Sequence, residues 1–196
     1  STTERTVGKY LADTAECIAH IHTAAVSEIA EVIWKTMRSG GTVFTIGNGG
    51  SAATASHMAN DLIKGCRVAD SLGIRAVCLA ADSAVMTCLA NDFSYEDIFK
   101  LQLETLAKEG DLLCLFSGSG NSENIVRAAE FANSAGIPVV GFLGKDGGNV
   151  LRYCNYRVLA ETDCMEKIED THLAIEHALV IALRGLIAGK KGGGYE

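Results

Sequence analysis

Apolar residues follow two different spacings along this chain. Short apolar runs bounded by Gly, Ser or Asn are typical of buried strands, whereas apolar residues that recur every three or four positions are typical of helices. The short runs predict five strands: Val43–Ile46, Arg75–Leu79, Leu112–Phe116, Ile137–Leu143 and Tyr156–Leu159. Because helical stretches separate these strands, the chain predicts an α/β fold, a three-layer α/β/α sandwich with a central parallel sheet.

The region before the first strand, residues 1–39, is predicted to form two helices or one long bent helix that ends at Gly40-Gly41. A helix in this position cannot bury both of its sides on one small sheet. We therefore expect it to pack partly against another subunit, although a helix folded over its own sheet explains the pattern equally well.

Further helices are predicted over residues 51–64, 83–89, 123–134 and 163–188. A capping box, Ser94-x-x-Asp97, follows a loop at residues 91–94 and starts another helix that runs to Leu106. The predicted organisation has three parts: an N-terminal helical segment (1–40), one α/β domain (41–188) and a flexible tail (189–196).

A glycine-rich loop, Gly47-Asn48-Gly49-Gly50-Ser51, lies between the first strand and the helix that follows it. Free backbone N–H groups and the positive end of a helix form an anion site at such a junction. The loop matches neither the P-loop nor the dinucleotide pattern. It predicts a phosphate cradle; the simpler alternative is a tight turn before a core helix.

A second loop, Ser117-Gly118-Ser119-Gly120-Asn121-Ser122, repeats this strand–loop–helix design. In parallel α/β sheets ligands bind beyond the carboxyl ends of the strands, where both loops are predicted to lie. Serine hydroxyls add donors to the backbone N–H groups, which suits a phosphate monoester. A loop that merely turns the chain is the alternative.

Two helices carry candidate acid–base or metal-binding groups. His57 and Asp61 are four residues apart and share a helix face. His177 lies on the last helix, where Glu166 and Asp170 fall within about 20° of it on a helical wheel and Glu169 lies about 80° away. These acidic residues also favour the helix dipole, so a structural role alone could explain them. Other polar residues have structural roles by default or stay open: His20, His22, His172 and Asp92.

Composition and charge exclude several classes of protein. The net charge of −7 and the scattered basic residues argue against a nucleic-acid surface. The seven cysteines form no C-x-x-C pair and the sequence shows no signal peptide, so we expect a cytoplasmic protein. No apolar run reaches the length that spans a bilayer, so no membrane partner is expected.

The chain resembles the sugar isomerase (SIS) domain proteins, and among them the phosphoheptose isomerase family, over about residues 10–187. The motifs that match in order are Gly47–Ser51, Asn91–Phe93, Glu109–Asp111, Ser117–Ser122, Gly144–Gly148 and Ile168-Glu-x-x-His172 with His177. The resemblance implies a flavodoxin-like SIS fold and a cytoplasmic homotetramer with active sites between subunits. It also implies an aldose–ketose isomerase that interconverts sedoheptulose 7-phosphate and a glycero-manno-heptose 7-phosphate through a cis-enediol.

The resemblance also implies roles for single residues. The phosphate would be held by Ser51, Ser117, Ser119 and Ser122 with the loop glycines Gly49, Gly50 and Gly118, and the sugar would lie near Asn48, Asp92 and Glu169. The family binds zinc through His, Glu, Gln and His, positions held here by His57, Asp61, Glu169 and His177.

This chain departs from the family pattern at functional positions. Asp61 replaces the Glu that also serves as catalytic base, and Glu169 replaces Gln. Two His and two carboxylates still suit zinc or another divalent metal. The second loop has Ser-Gly-Ser where the family often has Ser-Thr-Ser. We expect Asp61 to act as base and His177 as its acid–base partner. A non-catalytic phosphosugar-binding or regulatory module, and an isomerase of another phosphosugar, are the alternatives.

Overall fold

The computed structural model describes residues 1–189 and contains one five-stranded sheet in which every strand pair is parallel. The strands are β1 (Val43–Gly47), β2 (Ala76–Cys78), β3 (Leu112–Ser117), β4 (Val139–Gly144) and β5 (Tyr156–Ala160). Their order across the sheet is β2-β1-β3-β4-β5. The predicted parallel α/β fold is confirmed.

The seven helices within residues 1–189 are α1 (Thr2–Ala19), α2 (Thr23–Arg38), α3 (Gly50–Asn60), α4 (Ser83–Asp92), α5 (Ile98–Leu106), α6 (Glu123–Ser134) and α7 (Met165–Ile187). A π-helical turn, Asp61–Gly65, continues α3, and 3-10 turns cover Tyr95–Asp97 and Asn149–Tyr153. None of these helices combines the length and apolar character that crossing a membrane requires.

Successive residues of the buried strands point to opposite faces of the sheet. In β3, Leu112, Cys114 and Phe116 pack in one core with α2, α3 and α7. Leu113 and Leu115 pack in a second core with α5 and α6. Because both faces are covered, β1, β3 and β4 are fully buried apolar runs, and the three-layer arrangement follows.

The N-terminal region forms two helices rather than one bent helix. Helix α2 belongs to the main core, where Ile29 and Ile33 are fully buried. Helix α1 packs on α7 but leaves Val7, Leu11 and Ile18 between 40% and 62% exposed. The subunit interface expected here, and the division of the chain at residue 40, stay predictions. The tail predicted from residue 189 lies, apart from Gly189, outside the described residues.

Several predicted element limits differ from the structure, including those at α4, Ser94 and β4. Helix α4 runs on to Asp92, so Asn91 and Asp92 are helical rather than part of a loop. Ser94 forms no capping box, because its hydroxyl donates to the Asp97 carboxylate (2.9 Å) and a 3-10 turn precedes α5. Strand β4 begins after Pro138, because proline has no N–H to donate to a neighbouring strand.

The strand order places a topological switch point between β1 and β3. The chain leaves β1 toward β2 at one edge, and the later strands build the sheet in the opposite direction from β3. The carboxyl ends of the two strands are in register, with Gly47 paired to Phe116. Ligands of open α/β sheets bind at such a point, and both predicted loops begin there.

A buried carboxylate ties together the starts of β1 and β3. Asp111 is 2% exposed and accepts hydrogen bonds from the backbone N–H groups of Thr42 and Lys108, both at 2.8 Å. We expect Asp111→Ala to lower the free energy of unfolding by about 1–3 kcal/mol, since it leaves these donors unpartnered. Urea titration measures the change.

The matched control is Asp146→Ala, which removes an acceptor of the Gly148 N–H (3.2 Å) in an exposed turn. We expect this variant to lose less than about 1 kcal/mol. Equal losses in the two variants would contradict the role given to Asp111.

Candidate functional site

The first glycine-rich loop connects β1 to α3 as predicted. Gly49 has φ +54°, a left-handed conformation that favours glycine. Helix α3 begins at Gly50, and Ser51 is nearly buried in its first turn. The N–H groups of a first helical turn have no partner within the helix. The strand–loop–helix geometry is therefore present, and its role as an anion cradle stays a prediction.

The second loop holds its serines in place through their oxygen atoms. The Ser117 hydroxyl accepts from the N–H of Gly120 (3.0 Å), and the Ser119 hydroxyl accepts from the N–H of Asn121 (3.2 Å). Ser122 is the N-cap of α6 but makes no side-chain capping bond. In both contacts a backbone N–H donates to a lone pair of the hydroxyl oxygen. The hydroxyl hydrogens of Ser117 and Ser119 therefore remain available to a ligand.

Neighbouring segments brace the second loop. The carbonyl of Gly120 accepts from the N–H of Val150 (2.9 Å), and the side-chain oxygen of Asn121 accepts from the N–H of Asn149 (2.9 Å). A Cβ at position 118 would overlap the sulfur of Met165 on α7, so the loop and α7 are in close contact there. The loop is therefore held by the 3-10 turn after β4 on one side and by α7 on the other.

An amide pair that the sequence analysis missed joins the two loops. Asn48 and Asn124 donate to each other's side-chain oxygens at 2.8 and 2.9 Å, and Tyr95 donates to Asn48 at 2.9 Å. Asn124 is 2% exposed. Its partner lies 76 residues away, and no local spacing signals such a contact. The predicted sugar-side residue Asn48 is thereby fixed between both loops.

Asp92 lies at the end of α4. Within the described residues its side chain accepts hydrogen bonds from Asn91 (2.8 Å) and from the Cys88 thiol (3.4 Å). These contacts are local to α4, and Tyr95 is the residue of this region that reaches the first loop. The predicted role of Asp92 near a sugar stays a prediction.

His57, Asp61 and His177 come together where α3 packs against α7. The Nε2 atoms of the two histidines are 3.1 Å apart. An Asp61 carboxylate oxygen lies 3.4 Å from Nε2 of His57 and 3.9 Å from Nε2 of His177. The structure thus brings these three predicted residues of the two helices together. Both imidazoles are about half exposed, so the group opens toward solvent in the single chain.

The backbone at Asp61 departs from α-helical geometry. Asp61 is the first residue of the π-helical turn, and Arg184 of α7 donates from Nε to the carbonyl of Gly65 at its end (2.7 Å). Single π-helical turns inside helices occur frequently at functional sites. The contact with Arg184 holds this turn, and with it Asp61, against α7.

Glu176 is the fourth member of this group, and the sequence analysis missed it. It is fully buried, and a carboxylate oxygen lies 3.5 Å from Nε2 of His177. Burial, together with the negative charge of Asp61, raises the pKa of Glu176 to about 7. A charged residue among the apolar positions of α7 was the signal that could have identified it.

The acidic residues proposed from the sequence lie elsewhere. A Cβ at Gly50 would overlap the carboxylate of Glu169, so Glu169 sits at the start of α3 rather than in the group around His177. Asp170 accepts from the hydroxyl of Tyr10, and Glu166 accepts from the thiol of Cys164. The prediction that Glu169 completes a metal set is therefore corrected within this chain, because Glu176 takes that place.

The four grouped residues form a donor set that suits a divalent metal. Their ligand atoms all lie within 4.8 Å of one another. Neither oxygen of Glu176 has a hydrogen-bond partner among the described residues, although the side chain is fully buried. Two imidazole nitrogens that face each other beside two carboxylates fit a bound cation better than they fit one another.

The group around His57 and His177 is open to solvent in the single chain, where both imidazoles are about half exposed. A cavity of about 920 Å³ lies between α1, α2 and β5, where Cys17, His20 and Arg157 contribute to its walls. It contains none of the predicted site residues, all of which are in the described part of the chain. The cavity and the group around His177 are therefore separate features of the chain.

Comparison with known proteins defines first the class and then the family. The SIS domain family model matches residues 9–144, so this is a SIS-domain protein. A phosphoheptose isomerase from Trichlorobacter lovleyi is 36% identical over 172 residues, which cover 86% of this chain and 87% of that protein. The chain belongs to the phosphoheptose isomerase family.

Solved structures agree with this assignment. Phosphoheptose isomerase GmhA from Neisseria gonorrhoeae superposes with a TM-score of 0.86 at 25% identity and covers 96% of this chain and 100% of that chain. A phosphoheptose isomerase from Francisella tularensis gives a TM-score of 0.87 at 25% identity and covers 93% and 98%. The fold described above is thus the fold of these enzymes.

His172 of α7 is a structural residue, as expected. It is 1% exposed, its Nε2 lies 2.9 Å from the Leu143 carbonyl, and its ring packs edge-on to Phe116. Burial lowers the pKa of His172 to about 4, although the hydrogen bond to Leu143 opposes this shift. The folded protein therefore holds this imidazole neutral at pH values where the unfolded chain protonates it.

This shift predicts an acid-dependent loss of stability. The contribution of neutral His172 is full above about pH 6.5 and is lost as the pH falls toward 4, because only the unfolded chain gains the proton in that window. Between pH 7 and pH 5 we expect the wild type to lose about 2 kcal/mol more unfolding free energy than His172→Gln. Urea titrations in chelator at each pH measure the difference.

Thr171→Val is the control, since Thr171 is equally buried on the same helix and does not titrate. We expect it to keep the wild-type pH dependence. The same pH dependence in His172→Gln and the wild type would show that His172 does not cause the loss.

Proposed function

We propose that this protein is an aldose–ketose isomerase of a phosphorylated sugar. Its reaction would interconvert sedoheptulose 7-phosphate and D-glycero-D-manno-heptose 7-phosphate through a cis-enediol. The observation that carries the proposal is the group of His57, Asp61 and His177: His57 and Asp61 lie along α3 and its π-helical extension, whose N-terminus carries the predicted phosphate loop, and His177 of α7 packs against them. The phosphoheptose isomerases among its relatives support the same reaction.

The distance along α3 between the phosphate loop and His57 matches the length of a heptose 7-phosphate. Gly50 and His57 are seven residues apart, which is about 10 Å along a helix axis. In an open-chain heptose 7-phosphate the phosphate and the reacting carbons 1 and 2 lie at opposite ends of the molecule, at about the same separation. A phosphate at the loops would therefore place carbons 1 and 2 beside the His/Asp group.

We assign phosphate binding to Ser51, Ser117, Ser119 and Ser122, with the backbone N–H groups around Gly49, Gly50 and Gly118. The protein has a net charge of −7, so an anion must be attracted by local dipoles rather than by the overall field. Hydroxyl hydrogens and the N-terminal N–H groups of α3 and α6 provide such dipoles. Asn48, Asp92 and Glu169 are assigned to the sugar.

Asp61 is proposed as the base that moves the carbon-bound proton. It removes the proton from the carbon next to the carbonyl and returns it to the neighbouring carbon, so no net proton is gained or lost. His177 would exchange protons with the two oxygens as the carbonyl and hydroxyl change places, through Nδ1 where a cation occupies Nε2. The two groups lie 3.9 Å apart, close enough to act on adjacent carbon and oxygen atoms.

A divalent metal, zinc in the family, is proposed at the same place. His57, Asp61 and His177 would hold it, and the cation would supply positive charge where the enediolate oxygen develops negative charge. A carboxylate has two oxygens, so Asp61 can contact a cation and still reach a substrate proton. Glu169 is kept for the substrate, because its carboxylate lies at the start of α3 and away from His177.

The exposure of the two imidazoles favours a site shared with a second subunit. We propose a homotetramer in which a second subunit covers the half-exposed imidazoles, and a cytoplasmic location, where phosphosugars are metabolised and free cysteines persist. A purely regulatory phosphosugar-binding module has no need for the His/Asp/Glu group. An isomerase of a different phosphosugar would use the same groups on a sugar with a different number of carbons.

The first prediction from this mechanism concerns Asp61. We expect Asp61→Asn to reduce isomerisation of sedoheptulose 7-phosphate about a thousandfold, because the amide cannot accept the carbon-bound proton. NMR of the sugar mixture measures turnover, and titration calorimetry should show phosphosugar affinity within about threefold of the wild type.

Asp70→Asn, a change at an exposed surface carboxylate, is the control and should leave turnover unchanged. Retained turnover in Asp61→Asn would remove Asp61 from the mechanism.

The second prediction concerns the serine loop. Ser119→Ala should weaken binding of the 7-phosphate sugar about tenfold, since it removes one hydrogen bond to a charged group. Binding of the dephosphorylated sugar should not change. Ser134→Ala, at the far end of α6, is the control. A wild-type protein that binds both sugars equally would contradict the assignment of phosphate binding to these loops.

A further inference from the structure

Glu176 is a buried carboxylate that the proposed reaction does not use. Its side chain is 0% exposed, and neither of its oxygens has a hydrogen-bond partner among residues 1–189. Burying a carboxylate without a partner costs several kcal/mol, so such a group calls for a function or a bound ion. Glu176 points toward the two histidines rather than into a purely apolar part of the core.

We propose that Glu176 is the fourth protein ligand of the divalent cation bound by His57, Asp61 and His177. Glu169, which holds the position of the fourth ligand in the family pattern, is then left to contact the substrate. This inference rests on the proposed function only in placing the cation at the same site.

Four of the six distances among these residues lie close to those of a tetrahedral cage, and all six are within 4.8 Å. Four ligand atoms at the usual Zn–N and Zn–O distances lie about 3.4 Å from one another. The pairs in this structure measure 3.1 Å (His57–His177), 3.4 Å (His57–Asp61), 3.5 Å (His177–Glu176) and 3.9 Å (His177–Asp61). Small side-chain shifts would therefore place a cation at equal distances from all four residues.

The charges also balance. Two carboxylates and two neutral imidazoles carry a charge of −2, which a divalent cation neutralises. A cation would also give the buried oxygens of Glu176 the partner that they lack. Neutral imidazole and carboxylate are common ligands of zinc and of other divalent first-row metals.

Glu169 cannot complete this cage from the same chain. Its carboxylate contacts Gly50 at the start of α3. Along α7 it precedes His177 by eight residues, which is about 12 Å. A Glu169 side chain that reached the cation would have to belong to another subunit, and the experiment below separates that arrangement from ours.

The test compares the full-length wild type with Glu176→Gln and Glu169→Gln after dialysis against a chelator. Zn²⁺ affinity is measured by competition with a chromophoric chelator, and Co²⁺ loading is followed by visible absorption. We expect Glu176→Gln to lower Zn²⁺ affinity at least about tenfold and to change the Co²⁺ spectrum, because a charged ligand is lost. Glu169→Gln should stay within about threefold of the wild type.

Thermal unfolding gives a readout that needs no enzyme assay. In chelator, Glu176→Gln should melt at a higher temperature than the wild type, because it removes an unpartnered buried carboxylate. Zn²⁺ should raise the melting temperature of the wild type and Glu169→Gln more than that of Glu176→Gln. Glu176→Leu, an apolar residue suited to the same buried position, should reproduce both effects if the amide packs poorly.

Wild-type Zn²⁺ affinity in both Glu176 variants would overturn the proposal, as would a loss of affinity confined to Glu169→Gln or a wild type that binds neither ion. Failure of the proposed function would show in the isomerase assay and not in the metal-binding measurements. In that case the metal results hold as expected, but the metal-loaded wild type converts no heptose 7-phosphate.

Discussion

The parallel packing of α3 against α7 is the constraint on which the whole candidate site depends. It places Gly50 opposite Glu169 and, two turns further along, His57 opposite His177. Neither helix alone carries a complete set of polar groups, so a slip of one turn, about 5.4 Å, would separate the imidazoles. Buried apolar side chains of both helices hold the alignment: Ala55, Met58, Leu62, Ile175, Leu179 and Leu183.

Much of the fold could be predicted because its signals are local. A run such as Leu112–Phe116 has no polar residue to expose, so it has to be a central strand, and α6 begins and ends at the predicted residues. The glycine-rich loops were recognisable for the same reason, because strand, loop and helix follow one another in the chain. The contact of His57 and Asp61 with His177 required more than local spacing, and the family pattern supplied it.

The rest of the site depends on tertiary contacts that spacing does not encode. A helical wheel ranked Glu166 and Asp170 as neighbours of His177, but it ignores the rise along the axis, which separates them from His177 by about 16 and 10 Å. Glu176 lies among the buried, mostly apolar residues of α7, where a carboxylate is not expected. Ser94 was misassigned because its hydroxyl donates to the Asp97 carboxylate instead of accepting from a backbone N–H.

The reciprocal amide bonds between Asn48 and Asn124 have an evolutionary consequence. Each side chain is at once donor and acceptor for the other. Replacing Asn48 leaves both amide atoms of Asn124 without these bonds, and replacing Asn124 leaves the Asn48 amide nitrogen without its acceptor. The stability lost by the first substitution is recovered only when the second position changes too. The effects of the two substitutions on stability are therefore strongly non-additive. Among descendants of this sequence, the two positions should therefore covary.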